Sequence, residues 1–150
     1  MAHAFPPSRI LVACDFSTLS RDALAYAAEL AGAVDGELLL VHVADPIDPA
    51  LPPGTTPTPE RKRELVADRN EFVRERIAKD MAAYGAGCSK WSDVVADGAP
   101  GETLPRIAVE RNCDLIVIGS HGREGLKRFL LGSVAEEVMR HAHCPVLVSR

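Results

Sequence analysis

One stretch in the last third of the sequence restricts the possible folds more than any other. It begins with four consecutive apolar residues, 115–118, which are typical of a parallel strand buried on both faces. Glycines at 119, 122 and 132 follow. Apolar residues then recur at helical spacing, at Val134, Ala135, Val138, Met139 and Ala142. The stretch predicts a strand, a glycine-rich loop and a helix that begins near Ser133.

This arrangement is suited to binding an anion. Glycine lets backbone amides approach a phosphate closely, and the free amides at a helix start carry the positive end of the helix dipole. We expect Ser133 to cap the helix or to offer its hydroxyl to a phosphate oxygen. A glycine-rich loop is weak evidence by itself, and the sequence contains neither GxGxxG nor GxxxxGK[ST].

The rest of the chain alternates apolar runs with helical patterns. Further strands are predicted near residues 10–14, 37–43, 91–96 and 145–149, the last at an edge of the sheet. Helices are predicted from Ser17 or Thr18, from about Glu60, and over about 101–111 with Pro105 in the first turn. Five strands and four helices in this order predict a single α/β domain over residues 1–150, with a three-layer, doubly wound, Rossmann-like parallel sheet.

Residues 45–59 interrupt this pattern with six prolines and no apolar period. Such a loop either covers a ligand or is slack in the connection, and we favour slack because length alone is weak evidence of a lid.

The charges and the remaining residue patterns exclude several classes of function. The chain carries 17 basic and 21 acidic residues, a net charge of −4, with no run of lysine or arginine, so neither nucleic acid nor an anionic membrane is an expected partner. No signal peptide and no membrane-spanning apolar run are visible, so a cytoplasmic location is predicted. The four cysteines and five histidines show no CxxC or HExxH spacing, and no metal site is expected.

The spacing of the glycines is more specific than their presence. Residues 119–133 read G-x2-G-x9-G-[ST], which resembles the nucleotide-binding signature of the universal stress protein family at every fixed position. Residues 10–17 (ILVACDFS), 39–43 and 144–148 resemble that family's first, second and last strands. One departure is Ala13, which stands where many relatives have proline.

The resemblance implies the strand order 3-2-1-4-5. The point where strand order reverses, which is where such sheets bind ligands, would then lie between the first and fourth strands, at Asp15 and Gly119. Asp15 would bond a ribose hydroxyl or lie near adenine, although an Asx turn or helix cap is the alternative. The backbone of Val43 would contact adenine. The residues implied to approach phosphates with their amides are Gly119, Gly122, Gly132, Ser133 and Val134.

The same resemblance implies a cytoplasmic protein that binds ATP, with or without Mg²⁺, and acts as a nucleotide-dependent sensor or switch in the stress response. It also implies a homodimer whose fifth strands meet edge to edge, with Val146 and Val148 facing the partner. Two alternatives stay open. One is slow ATP hydrolysis, for which His121, Glu124 and Asp15 are the candidate residues beside the loop. The other is a nucleotide-independent interaction module.

Overall fold

A computed structural model describes residues 6–44, 54, 56–121 and 131–150 of the chain. The elements follow one another as β1 (Arg9–Ala13), α1 (Thr18–Ala33), β2 (Glu37–Ala44), α2 (Pro59–Tyr84), β3 (Trp91–Asp97), α3 (Pro100–Glu110), β4 (Leu115–Gly119), α4 (Ser133–His141) and β5 (Val146–Ser149).

The strands form one parallel sheet in the order β3-β2-β1-β4-β5. This is the predicted order, and it confirms the doubly wound α/β fold. β1 lies at the centre and pairs with β2 on one side and β4 on the other. β3 and β5 are the two edges of the sheet.

Alternating strand residues build a separate core on each face of the sheet. Ile10 and Val12 of β1 face α1 and α2, whereas Leu11 faces α3 and α4, and all three side chains are fully buried. The helices contribute apolar stripes to these cores, such as Ala23 and Ala27 on α1. Burial on both faces explains why the central strands read as continuous apolar runs.

Two helices end in the same way, which sets the direction of the strands that follow. Asp35 and Asn112 each lie one residue beyond a helix C-cap, and both have φ of 53°. The amide of Gly36 then donates to Ala31 O, and that of Cys113 to Ala108 O, each at 2.8 Å. This is the Schellman arrangement, in which a left-handed residue turns the chain out of the helix. Asp and Asn tolerate that conformation better than most residues.

Two predictions about helices were wrong. Ser133 does not cap α4: Gly132 is the N-cap because its carbonyl accepts the first helical bond, from Glu136 N at 3.0 Å, and no side chain caps the helix. Pro105 is not in the first turn of α3, because the helix begins at Pro100 and five helical residues precede Pro105. Without an N–H, Pro105 cannot bond the carbonyl of Gly101.

Several predictions lie outside the described residues. These are the larger part of the proline-rich loop, Gly122, and the loop residues after it up to position 130. Within the described part of the chain, no helix is both long enough and apolar enough to cross a membrane.

Candidate functional site

The carboxyl ends of β1 and β4 lie side by side, as predicted. The two strands pair in register from Ile10 with Leu115 to Val12 with Val117. α1 begins shortly after β1, at Thr18, and α4 begins after the loop that follows β4, at Ser133. Two helix N-termini therefore lie beyond the point where strand order reverses, and each presents backbone amides there.

The residues that flank the glycine-rich loop are bonded to each other. Ser120, which is buried, donates its amide to Ser149 O of β5 at 2.7 Å and accepts a bond from Gly132 N at 2.7 Å. The first of these bonds ties the loop to the edge strand. The second closes the loop directly at the start of α4.

Glycine is required at both described ends of the loop. A Cβ on Gly132 would lie 2.8 Å from Ser120 O, and one on Gly119 would lie 3.0 Å from the backbone carbon of Leu19. The distance at Gly132 is shorter than real Cβ contacts allow, so a side chain there would displace the loop end. The distance at Gly119 is tighter than most real Cβ contacts, so a side chain there would require a small shift of α1. Backbone packing alone explains these two glycines, and their contact with phosphate stays a prediction.

The start of α4 presents amides that no side chain caps in the part of the chain that is described. Ser133 and Val134 are its first two residues, and the first intrahelical donor is Glu136. Ser133 is exposed, whereas the side chain of Val134 packs against the core beneath α3 and α4. The first-turn amides of this helix can therefore bind an anion.

His121 carries an unsatisfied nitrogen beside the loop. Its Nδ1 lies 3.1 Å from Ser120 Oγ. Its Nε2 is buried and has no hydrogen-bond partner within the structure as described. A buried polar atom without a partner is costly, so a ligand that supplied one would be stabilised there.

The predicted nucleoside side of the site contains Asp15 and Val43. Asp15 Oδ1 accepts a bond from Ser17 N at 2.9 Å, which is the Asx turn given as the alternative reading of this residue. An ionised carboxylate has about four acceptor positions, so the turn does not by itself exclude a ligand hydroxyl. Val43 is half-buried, and its side chain packs against the core on the α3 and α4 side.

Sequence analysis missed Phe16, which follows Asp15, and the two residues that contact its ring. Phe16 has φ of 67°, and its ring contacts the ring of His42 and the guanidinium of Arg76. No local pattern predicts a left-handed phenylalanine. The aromatic residue inside an otherwise polar turn was the only available signal.

The cysteines show no sign of a reactive centre. Cys14, Cys88 and Cys113 are buried, and all four thiols are free. Burial raises the pKa of Cys14 and of Cys113 to about 12, so both are neutral thiols at physiological pH. Among the residues with described positions, no three His, Cys, Asp or Glu side chains are grouped to hold a metal ion.

A cavity of about 400 Å³ lies on the opposite side of the sheet from this site, at the amino-terminal ends of the strands. Its lining includes the ion pairs Arg9–Glu37 and Lys90–Asp35. These charges already neutralise each other, and ligands of such sheets bind at the carboxyl ends of the strands. We therefore place the candidate site at the carboxyl ends of β1 and β4.

Comparison with known proteins agrees with the fold. The family model described as "Universal stress protein family" matches residues 7–150. The chain is 32% identical over 140 residues to the universal stress protein MJ0531 of Methanocaldococcus jannaschii, covering 93% of this chain and 80% of that protein.

Two solved structures share the fold. The structure of MJ0577, from the same organism, superposes with a TM-score of 0.77 at 30% identity and covers 95% of this chain and 94% of its own. A universal stress protein in complex with cAMP superposes with a TM-score of 0.66 at 25% identity, with 95% of each chain covered.

Proposed function

This chain belongs to the universal stress protein family, and we propose that it binds ATP as a nucleotide-dependent sensor or switch in the cytoplasmic stress response. The observation that carries the proposal is the closed loop end, where Gly132 N bonds Ser120 O at 2.7 Å immediately before α4. This bond holds the uncapped start of a helix directly beyond the sheet. A neighbour in structure is solved with cAMP, which is also an adenine nucleotide.

The phosphates of the nucleotide would bind at the start of α4. Gly119, Ser133 and Val134, together with Gly122 outside the described residues, would present backbone amides to them. Gly132 was expected to do the same, but its amide is already bonded to Ser120 O, so it would instead hold the loop end close to the phosphates. The unsatisfied Nε2 of His121 supports this assignment, because a phosphate oxygen would give it a partner. Asp15 and the backbone of Val43 would contact the ribose and adenine.

Magnesium would enter with the nucleotide. Mg²⁺ keeps several of its water ligands and is commonly held through substrate phosphates and only one or two carboxylates. The proposal therefore requires no preformed cage of acidic side chains, and Mg²⁺ would help to neutralise the phosphate charge.

Slow ATP hydrolysis is the alternative that His121 favours. Phosphoryl transfer to water needs a group that orients the water, and His121 lies beside the loop with one nitrogen that has no partner among the described residues. A protein that acts only as a sensor would bind ATP without hydrolysing it repeatedly. Product formation by the wild type that is lost in His121→Ala would favour the hydrolase.

A homodimer through β5 is part of the proposal. Pro145 O and Ser149 O accept bonds from β4, so the backbone groups of Val146 and Val148 face the open edge. Their side chains pack half-buried against the core on the α3 and α4 side. β5 carries no charged residue, whereas the other edge, β3, carries Asp93 and Asp97. Charged edge strands resist pairing, which favours β5 as the contact.

The proposal is tested by removing a single amide from the start of α4. Gly132 has φ of −65° and ψ of 148°, the conformation that a following proline requires, and Ser133 is the first helical residue. Ser133→Pro therefore removes one N–H and the hydroxyl without breaking the helix. Ser133→Ala removes the hydroxyl alone.

ATP titrations by calorimetry, with and without Mg²⁺, should show about tenfold or more weaker binding in Ser133→Pro, as expected for a lost bond to a charged group. Circular dichroism and thermal unfolding check that each variant is folded. Equal ATP affinity in the wild type and the proline variant would exclude the start of α4 as the phosphate-binding site. No binding of ATP to the folded wild type would favour the interaction module instead.

A further inference from the structure

Phe16 has a backbone conformation that its side chain disfavours. It follows Asp15 directly, and its φ of 67° lies in the left-handed region, where a bulky residue is a genuine outlier. Glycine would adopt this turn without strain. The presence of phenylalanine therefore needs an explanation beyond the shape of the turn, and such outliers gather at ligand sites.

Two side chains contact the Phe16 ring. The His42 ring lies 4.9 Å from it between centroids, tilted by 31°, and the guanidinium carbon of Arg76 lies 4.1 Å from the ring centroid. Phe16 is only 9% exposed. We call Phe16, His42 and Arg76 the aromatic clamp. It joins the end of β1 to β2 and α2.

The clamp also fixes the backbone before Asp15. His42 Nδ1 lies 2.7 Å from the carbonyl oxygen of Cys14, and the amide of Cys14 donates to Val41 O at 2.8 Å. After Asp15, the amide of Ser17 is bound to the Asp15 carboxylate, and Ser17 caps α1 through its bond from Ser20 N at 3.2 Å. The position of Asp15 is thus determined from both sides.

Arg76 contributes to the clamp through the ring and not through an ion pair. Among the described residues it forms no salt bridge, and the second aromatic near its guanidinium is Phe72, 5.9 Å away. Phe72 is 59% exposed and does not touch the β1 turn in any described contact. A cation over an aromatic face is a stabilising contact, so Arg76 helps to offset the cost of the strained backbone at Phe16.

We propose that Phe16 is a positioning residue for the nucleoside end of the nucleotide: the aromatic clamp holds the β1 turn so that Asp15 meets the ribose. The inference rests on the proposed function, and it concerns only the nucleoside half of the site. The phosphates would be bound at the start of α4, with which the clamp shares no contact among the residues whose positions are described. Loss of the clamp should therefore weaken binding of ATP but not of inorganic tripolyphosphate.

Phe16→Gly is the decisive variant, because glycine accepts the left-handed turn while removing the ring. We expect its ATP affinity to fall about tenfold or more and its tripolyphosphate affinity to equal that of the wild type. Phe16→Tyr keeps the ring and should bind ATP as tightly as the wild type does. Phe72→Ala removes the other aromatic residue beside Arg76 and serves as the control, with both affinities unchanged.

A double-mutant cycle distinguishes an effect of Phe16 on the position of Asp15 from a general destabilisation of the fold. If Phe16 acts through Asp15, then Phe16→Gly should cause no further loss of ATP affinity in an Asp15→Ala background. Additive losses would overturn the inference, as would equal loss of ATP and tripolyphosphate in Phe16→Gly. ATP bound equally by wild type and Phe16→Gly would overturn the inference while leaving the proposed function intact. Wild type that binds no nucleotide would overturn both.

Discussion

The amide nitrogen of Gly132 lies 2.7 Å from the carbonyl oxygen of Ser120, across a gap of eleven intervening residues. This bond makes the glycine-rich segment a closed loop whose two ends are held by backbone, so that the start of α4 has a fixed position relative to β4. A site built in this way depends on the absence of side chains at the closure more than on which side chains line it.

We predict that Gly132→Ala lowers the free energy of unfolding by about 2 kcal/mol, because its Cβ would lie 2.8 Å from Ser120 O and the backbone there cannot move away without losing the closing bond. Urea unfolding measures this change. Ser133→Ala is the neighbouring control and should be neutral, since that side chain makes no capping bond. Equal stability of Gly132→Ala and the wild type would show that the closure is not rigid.

Replacing Gly32, in the last turn of α1, by alanine should lower the free energy of unfolding in spite of helix propensity. Alanine is the better helix former by about 1 kcal/mol. A Cβ on Gly32, however, would lie 2.0 Å from the carbonyl oxygen of Gly87. We expect Gly32→Ala to cost roughly 3 kcal/mol or more, measured by chemical unfolding.

Gly101 is the matched control for Gly32. The atoms nearest to a Cβ there are Oε2, Cδ and Cγ of the flexible Glu137 side chain, which can rotate away, and not backbone atoms. We expect Gly101→Ala to change the free energy of unfolding by less than about 1 kcal/mol. Similar costs at the two glycines would contradict the assignment of a backbone clash at Gly32.

The buried thiols should make stability fall at high pH. Burial raises the pKa of Cys14 and of Cys113 from 9.0 to about 12. Above pH 9.0 the unfolded chain releases these protons while the folded chain keeps them. The stabilisation is therefore complete below pH 9.0 and is lost as the pH rises toward about 12.

Urea unfolding of the wild type and of a Cys14→Ala/Cys113→Ala variant across that range isolates the thiol contribution. The variant should be less stable at neutral pH because of the cavities it leaves. Its stability should nevertheless decline less steeply with pH. Parallel pH profiles for the two proteins would contradict the prediction.

Pairing through β5 predicts opposite outcomes for two adjacent proline substitutions. The backbone N–H of Val148 faces the open edge, whereas that of Leu147 faces β4. Val148→Pro should keep the fold and convert a dimer to a monomer, because edge strands tolerate proline where the N–H faces outward. Leu147→Pro should destabilise the fold itself. Analytical ultracentrifugation and thermal unfolding distinguish these results, and a dimeric, folded Val148→Pro would exclude β5 as the contact.

The apolar runs identified the strands, because period and apolar continuity reflect burial directly. The strand order, and with it the place where β1 and β4 meet, followed from the resemblance to universal stress proteins. Helix ends were harder. Ser133 was misassigned because a helix that began one residue later would make it the N-cap. Pro105 was misassigned because proline was assumed to be confined to a first turn, whereas five helical residues precede it. The strain at Phe16 was beyond prediction, since it depends on side chains from β2 and α2 that only the folded chain brings together.

The bond from Ser120 to Ser149 also has a consequence for how the protein is made. The ribosome produces β5 last among the elements described, and Ser149 provides the acceptor that anchors the residue before the loop. Most of the sheet can pair before that carbonyl exists, but the loop cannot be anchored in its final place. A nascent chain would therefore acquire most of its core before its ligand site, and nucleotide could bind only after β5 has been synthesised.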